Sequence, residues 1–469
     1  MSELYQQLKK QAAGKAARFH MPGHKGRPIL PELNHPFAID YTEIEGTGNL
    51  YAGDEPIFSA EQAAAQYYGA QDCLFLTGGS TQALITAIAA AVPEGGTFVI
   101  DRNCHKSATH AMVLLDLTPI FVVPEPLDDT GLPGMLPPQA VENLLHEHPE
   151  ASAVLVTSPN YYGVMQDIPA LSDICHRHGV PLIVDAAHGA HLKAAGRKSP
   201  MEEGADLAAV STHKTLPALG QSAILLSSGR IAWETLLETA PMFGTSSPSY
   251  VLLASIDLAR AWLEQDGAPR YAKCARRVAA LRREINRTTV FCALTEKNVP
   301  LDPCRLTICC RHTNVTGHQL NTILHEAFGI DVEMSDQDHI VCICTGADTE
   351  RDYARLMGAL RDKRFTVKKT AYKPLLPFPE PERGCSVREA WFSKKVMVPL
   401  VQAAGKICAR PVTPYPPGVP LLYPGERIRQ VHIEFLRAGW YTDKEPICVM
   451  EEADAERITT HDVCKPAGQ

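Results

Sequence analysis

No run of residues in this chain is apolar for long enough to cross a bilayer. The longest, Leu84 to Val92, falls well short of the roughly 20 residues a membrane helix needs. Met1–Lys10 is polar and lacks the apolar stretch of a secretory leader, so the chain reads as cytoplasmic, with no membrane partner. Basic residues are in deficit: Lys and Arg number 45 against 53 Asp and Glu, a net charge of −8 with His neutral. That balance argues against general nucleic-acid binding, which wants a basic face. Cysteine is plentiful at 14 but forms no framework, because no CxxC pair is joined by a second at zinc spacing. Cys309 and Cys310 are adjacent, and Cys342 and Cys344 fall on one face of an expected strand. Free buried thiols in a reducing compartment are the expectation. HExxH, a Walker Gly-Lys-Ser/Thr, GxGxxG and any long internal repeat are missing too. His188 and His191 have the spacing of metal ligands but no third partner, so no metal is expected.

What is present suits a soluble globular protein: 45% hydrophobic and 21% charged residues in a chain of 469. That length predicts about two to four domains. Residues 1–60 read as an N-terminal helix, with Leu4, Tyr5 and Leu8 on one face, followed by an arm rich in Gly, Pro and Asp. From residue 61 to 287, short apolar runs alternate with helical stretches. Strands are expected at Cys73–Leu76, Thr97–Ile100, Ile120–Val123, Ala153–Thr157, Leu182–Asp185, Leu207–Ser211 and Ala223–Leu226. Such runs separated by helices imply a mainly parallel sheet covered on both faces. Residues 288–370 repeat the alternation as a smaller α/β unit. Residues 371–383, with Pro374, Pro377, Pro379 and Pro381, read as a stiff linker, and 384–469 as a small third unit.

Four motifs stand at strand ends. Ser211-Thr212-His213-Lys214 follows Leu207–Val210, and a Lys there sits where α/β sheets bind ligands. An aldehyde cofactor needs such an amine. On its own, the tetrapeptide is as well explained by a surface lysine. Asp185-Ala186-Ala187-His188 ends another apolar strand upstream. A carboxylate at that place can pair with a protonated ring nitrogen and keep the ring an electron sink, and Ala187 is small enough to lie flat against it. The plain alternative is a capping Asp. Thr77-Gly78-Gly79-Ser80-Thr81 opens a helix and suits a phosphate through close backbone N–H groups and hydroxyls. It also reads as an ordinary N-cap by Ser80 or Thr81. His105, in Asp101–Ser107, is placed to stack on a ring, although a lone His is more often structural. Together, in this order, the four describe one site.

The chain resembles the Orn/Lys/Arg decarboxylase family. The resemblance rests on Phe19-His20-Met21-Pro22-Gly23-His24-Lys25-Gly26, Asp101–Ser107, Asp185–His191, Ser211–Lys214, Tyr415-Pro416-Pro417-Gly418-Val419-Pro420 and Tyr423-Pro424-Gly425-Glu426. It implies an α/β fold of the type I, aspartate-aminotransferase-like class with pyridoxal 5'-phosphate as cofactor. It further implies Lys214 as the Schiff-base lysine, Asp185 at the pyridine nitrogen and His105 stacked on the ring. Ser80, Thr81, Ser211 and His213 would surround the phosphate, with Ala187 and His188 beside the ring. Gly244–Ser249 resembles a segment that completes a partner subunit's phosphate site, so a homodimer with interfacial active sites is expected. Asp185-Ala186-Ala187 replaces the more usual Asp-Glu-Ala, and Thr47-Gly48-Asn49-Leu50 departs from the family near the substrate's path. The long N-terminal wing domain of the large inducible relatives is not seen, so their decameric assembly is not carried over.

The expected reaction is loss of CO2 from arginine, lysine or ornithine, giving an amine of the polyamine pathway. Lys214 or His213 would return a proton to Cα. The distal cation of the substrate needs an anionic partner; Glu426 is the first candidate, with Asp40 and Glu43 behind it. An aminotransferase or another lyase on the same fold competes with this reading, as does a non-catalytic paralogue. Keto-acid formation would mark the aminotransferase, and loss of Lys214 or Asp185 the paralogue.

Overall fold

A computed structural model describes residues 12–14, 16–127, 130–297, 299–368, 379–413, 419–439 and 441–455. The expected helix at Leu4–Leu8, Pro374 and Pro377 of the linker, and Tyr415–Gly418 lie outside them. Eight strands come first: β1 (Ala17–Phe19), β2 (Asp72–Leu76), β3 (Thr97–Asp101), β4 (Thr118–Val122), β5 (Ala151–Thr157), β6 (Leu182–Asp185), β7 (Leu207–Ser211) and β8 (Ala223–Ser227). Seven of them form one sheet in the order β2-β8-β7-β6-β5-β3-β4. All neighbours in it pair in parallel except at β8, which runs antiparallel to both β7 and β2.

Strict alternation splits the strand residues between two cores. Phe75, Val99, Val154, Val156, Val184 and Ala208 face one. Leu74, Leu76, Phe98, Ile100, Leu155, Ile183 and Leu207 face the other. Each strand is therefore buried on both sides, as a sheet flanked by two helical layers requires. The helices Ile57–Tyr68, Gly79–Ala91, Lys106–Leu115, Pro138–Glu147 and Ile168–Arg177 supply those layers. The expected element ends shift by a residue or two, as helix and strand boundaries do.

A long helical run, Tyr250–Trp262 continuing into Ala268–Thr288, leads to the second unit. There Arg305–Cys309 and His339–Ile343 pair antiparallel in a four-stranded sheet. β1 pairs in parallel with Ile330–Val332, so the N-terminal arm is stitched to this second unit. The third unit has its own core around Leu400, Leu422, Ile433 and Val449, but Val387 and Tyr423 bury themselves in the large core instead. All described cysteines are free, and all but Cys292 and Cys448 are buried. Among the described residues, no helix is long and apolar enough to cross a membrane.

Candidate active site

Parallel strands bring Asp101, Thr157, Asp185 and Ser211 to one edge of the sheet, because each is the last residue of its strand. Ligands of open α/β sheets bind at that edge. Lys214 stands in the single-turn helix Thr212–Thr215 directly after β7, and β6 is the strand beside β7. Asp185 and Lys214 accordingly feel each other. Burial raises the Asp185 carboxyl above its ordinary value, with the Lys214 charge and the Ala187 N–H (3.1 Å) pulling the other way. Burial likewise lowers the Lys214 amine, opposed by Asp185 and Glu333.

His105, His188 and His213 lie around this pair. His105 caps the helix Lys106–Leu115, its Nδ1 2.9 Å from the Ser107 hydroxyl. Burial and the Lys214 charge push it down to about 3, so it is neutral. His213 Nδ1 lies 2.9 Å from the Ser222 carbonyl; a carbonyl only accepts, so this nitrogen carries the proton and Nε2 keeps the lone pair. His188 is buried with Nε2 3.3 Å from Lys214 Nζ. Ser80 and Thr81 occupy the first turn of Gly79–Ala91. Neither caps that helix: its N-cap is Gly78, with no side-chain cap bond. His188 and His191 do not converge, because His191 turns to Asp302 at 2.8 Å.

Glu426 has a different position from the one expected. Its two carboxylate oxygens receive Arg102 Nη1 at 2.5 Å and Nη2 at 2.8 Å, and Tyr423 N at 2.9 Å. The Arg102 guanidinium lies 4.4 Å from the ring centroids of both Phe121 and Tyr423. A carboxylate so engaged inside the chain is a latch between the third unit and the end of β3, its charge met by Arg102 rather than left open for the cationic end of a substrate. Asp40 is exposed on the arm and Glu43 is half-buried there; Glu43 is felt by Tyr250, and neither meets Lys214 within this chain.

Three residues were not expected. Tyr161 follows β5 and packs edge-on against His188, centroids 4.8 Å apart. Its hydroxyl donates to Glu333 at 2.8 Å, and Glu333 also receives the Met21 N–H at 2.8 Å. Arg305, only 1% exposed, places Nη2 3.1 Å from His188 Nδ1. Tyr161 was findable by the same strand-end rule that selected Asp185. Arg305 and Glu333 come from the second unit, and only its docking reveals them. The Phe19–Gly26 motif also acquires a place: Gly23 N donates to the His213 carbonyl at 3.0 Å, and Lys25 Nζ to the Ile343 carbonyl at 2.9 Å.

The residues fit pyridoxal phosphate. The Ser211 hydroxyl is fully buried with no partner among the described residues, as a group awaiting a ligand would be. Asp185 offers a second oxygen beyond the one bound to Ala187, and Lys214 Nζ meets the neutral His188 imidazole at 3.3 Å.

Comparison with known proteins agrees. The Orn/Lys/Arg decarboxylase major domain matches residues 2–297, and the C-terminal domain of the same family matches 369–445. The chain is 33% identical to an arginine decarboxylase of Bacillus subtilis over 92% of both sequences. It is 23% identical to the constitutive lysine decarboxylase of Escherichia coli, over 83% of this chain and 68% of that one. Among solved structures, lysine decarboxylase A from Pseudomonas aeruginosa superposes with a TM-score of 0.76, at 17% identity, over 92% of this chain and 77% of that one. The chain belongs to the Orn/Lys/Arg decarboxylase family, and it is a pyridoxal-phosphate-dependent decarboxylase of basic amino acids.

Proposed function

We propose that the chain decarboxylates arginine in preference to lysine or ornithine, with Lys214 carrying the cofactor. One observation supports the site: Asp185 ends β6, Lys214 stands in the turn of helix directly after the neighbouring β7, and each shifts the other's ionisation. Bound pyridoxal phosphate supplies an electron sink for the pair left on Cα when CO2 departs. Asp185 would favour the protonated form of the ring nitrogen, and His105, a neutral imidazole, would lie beside the ring. Ser211, Ser80, Thr81 and His213 hold the phosphate. Lys214 Nζ would anchor the cofactor, and its amine would hold the proton delivered to Cα; His213 Nε2 is the other base in the same helix.

Arginine is favoured by the four arginine decarboxylases that match at 32–33% identity over most of the chain. Glu333 is the anionic partner proposed for the substrate's cationic end, being the carboxylate besides Asp185 that acts on Lys214; its donors within the chain, the Tyr161 hydroxyl and the Met21 N–H, are neutral and leave its charge unpaired by a cation among the described residues, unlike Arg102 on Glu426. The homodimer belongs to the same proposal. Phe37 (93% exposed), Tyr41 and Ile44 crowd the arm that carries Asp40 and Glu43, and Thr245–Ser247, within the Gly244–Ser249 motif that resembles a partner's phosphate segment, are exposed. Exposed apolar clusters of this kind mark subunit contacts. A cytoplasmic role in polyamine synthesis is part of the same proposal. CO2 release measured with each of the three amino acids tests the preference: equal or higher kcat/KM for lysine would overturn it, and keto-acid without CO2 would point to the aminotransferase.

A further inference from the structure

We propose that Arg305 fixes the tautomer of His188 and thereby holds Lys214 as a free amine, its lone pair facing His188 Nε2–H. Arg305 is a positioning residue in this scheme; it acts through the histidine. The inference rests on Lys214 being the cofactor lysine and adds a means of keeping that lysine reactive.

The argument starts from donor inventory. A guanidinium has five N–H groups and no lone pair to offer. Arg305 is buried to 1% exposure and is pinned from behind. Its Nη1 donates to the Tyr161 carbonyl at 3.0 Å, and Nη2 lies 3.7 Å from Asp302 Oδ2. Asp302 is itself held by His191 Nε2 at 2.8 Å and by the Cys304 N–H at 2.8 Å. Nη2 then meets His188 Nδ1 at 3.1 Å. Only a lone pair on Nδ1 makes that contact a bond.

An Nδ1 that accepts from a guanidinium carries no hydrogen, so the ring is not an imidazolium; burial, with the Arg305 charge adding to it, drives His188 well below its ordinary value in the same direction. A neutral imidazole whose Nδ1 accepts carries its one hydrogen on Nε2. That nitrogen lies 3.3 Å from Lys214 Nζ. An ammonium there would set N–H against N–H, whereas a neutral amine accepts the bond. The remaining groups facing Lys214 are Asp185 and Glu333, which favour its cation, and Arg305, which with burial opposes it; burial prevails. His105 is neutral, and His213 is anchored by its Nδ1 to Ser222. Without Arg305, His188 could move its hydrogen to Nδ1 and offer a lone pair to the lysine ammonium. The nucleophilic form would then be scarce at neutral pH.

The test uses the full chain, freed of cofactor with hydroxylamine and labelled with 15N-histidine. The His188 signals are assigned by their loss in His188→Gln. The expected spectrum has a protonated Nε2 and an unprotonated Nδ1 in the wild type and in Arg305→Lys. Arg305→Met is expected to mix or reverse the two. In parallel, the rate of reloading with pyridoxal phosphate, followed by absorbance against pH, is expected to move alkaline by about one pH unit in Arg305→Met and to stay in place in Arg305→Lys. A protonated Nδ1 in the wild type overturns the inference, even where Arg305→Met fails to fold. So does a profile that moves while the nitrogen signals do not, since loss of charge alone would do that. Borohydride reduction of the loaded wild type and peptide mapping separate the two readings. Label on a lysine other than Lys214 sinks the cofactor assignment; label on Lys214 with the wrong tautomer sinks only this inference.

Discussion

Removing the Glu426 carboxylate isolates the contribution of the latch between the third unit and the large sheet. Arg102 and Glu426 side chains are 2% and 6% exposed, so solvent screens little of their interaction. Glu426→Ala removes two bonds from Arg102 and one from the Tyr423 N–H, and leaves the guanidinium charge without its carboxylate between Phe121 and Tyr423. Breaking one side of a buried pair costs about 3–5 kcal/mol, most of it the uncompensated charge. The double variant Arg102→Met, Glu426→Leu removes both charges and fills the space, so it is expected to lose far less. Urea unfolding followed by intrinsic fluorescence, with limited proteolysis to report on the third unit, reads both variants. Glu426→Ala should open the third unit first, and it should also weaken cofactor binding, because His105 lies three residues beyond Arg102. Equal midpoints for the single and double variants would refute the reasoning. So would a single variant as stable as wild type, since the latch would then contribute nothing.

Further outcomes follow from other buried groups. Lys214→Ala should lose the cofactor's visible absorbance and all borohydride-trapped label, with no measurable CO2 release; turnover in that variant would remove the assignment. Glu61 accepts the Phe75 N–H at 2.7 Å, and burial pushes its carboxyl up to about 8 from 4.5. A raised carboxyl gives stability that is fully present below the unfolded value and lost as pH rises through the folded one. Glu61→Gln should therefore flatten the fall in urea midpoint between about pH 4.5 and 8, and parallel pH curves for the two proteins would contradict this. A Cβ at Gly23 would lie 2.4 Å from the Leu216 carbonyl oxygen and 2.5 Å from Thr215 C. Gly23→Ala should thus displace the Lys214 helix and weaken pyridoxal phosphate binding by at least about tenfold, or ~1.4 kcal/mol, in an equilibrium titration. Cofactor loading should slow hydrogen exchange in Arg305–Cys309 as well as in β6 and β7, because ligand that binds only the assembled form stabilises every part of it; protection confined to the large sheet would oppose the idea.

Much of the sheet was legible because β2, β3 and β5–β7 are short apolar runs, and the rule that ligands meet their C-terminal ends needs no knowledge of packing. That rule placed Asp185, Ser211 and Lys214 together. It could not orient β8, since an apolar run reads alike in either direction. Glu426 shows a different limit. Its carboxylate and the Arg102 guanidinium are 324 positions apart, and nothing local to either marks them as partners. Arg305 opens the strand Arg305–Cys309, where a lone cation before Leu-Thr-Ile reads as a solvated end. It is instead among the most buried large side chains. The helix Lys106–Leu115 went unread because its small residues, Ser107, Ala108, Thr109 and Ala111, carry little hydrophobic periodicity although all are buried.

The three units converge because one strand end does not supply enough chemistry. The large sheet contributes the lysine and a carboxylate, but the histidine beside that lysine takes its orientation from Arg305 on another sheet. Glu333 of the second unit is in turn bound by the Met21 N–H, two residues before the glycine that donates to the His213 carbonyl. The Thr345 hydroxyl closes the circuit by donating to the Gly23 carbonyl at 2.9 Å. A shift of the second unit therefore moves the arm, and the arm bears directly on the helix of Lys214. The third unit acts on the opposite flank, where the Arg388 guanidinium donates to the Leu114 carbonyl at 2.9 Å at the far end of the helix that His105 caps. The histidine proposed to stack and the lysine proposed to anchor are thus gripped by different units. Their spacing, which has to match one small aromatic ring, is a property of the assembled fold and of no single sheet.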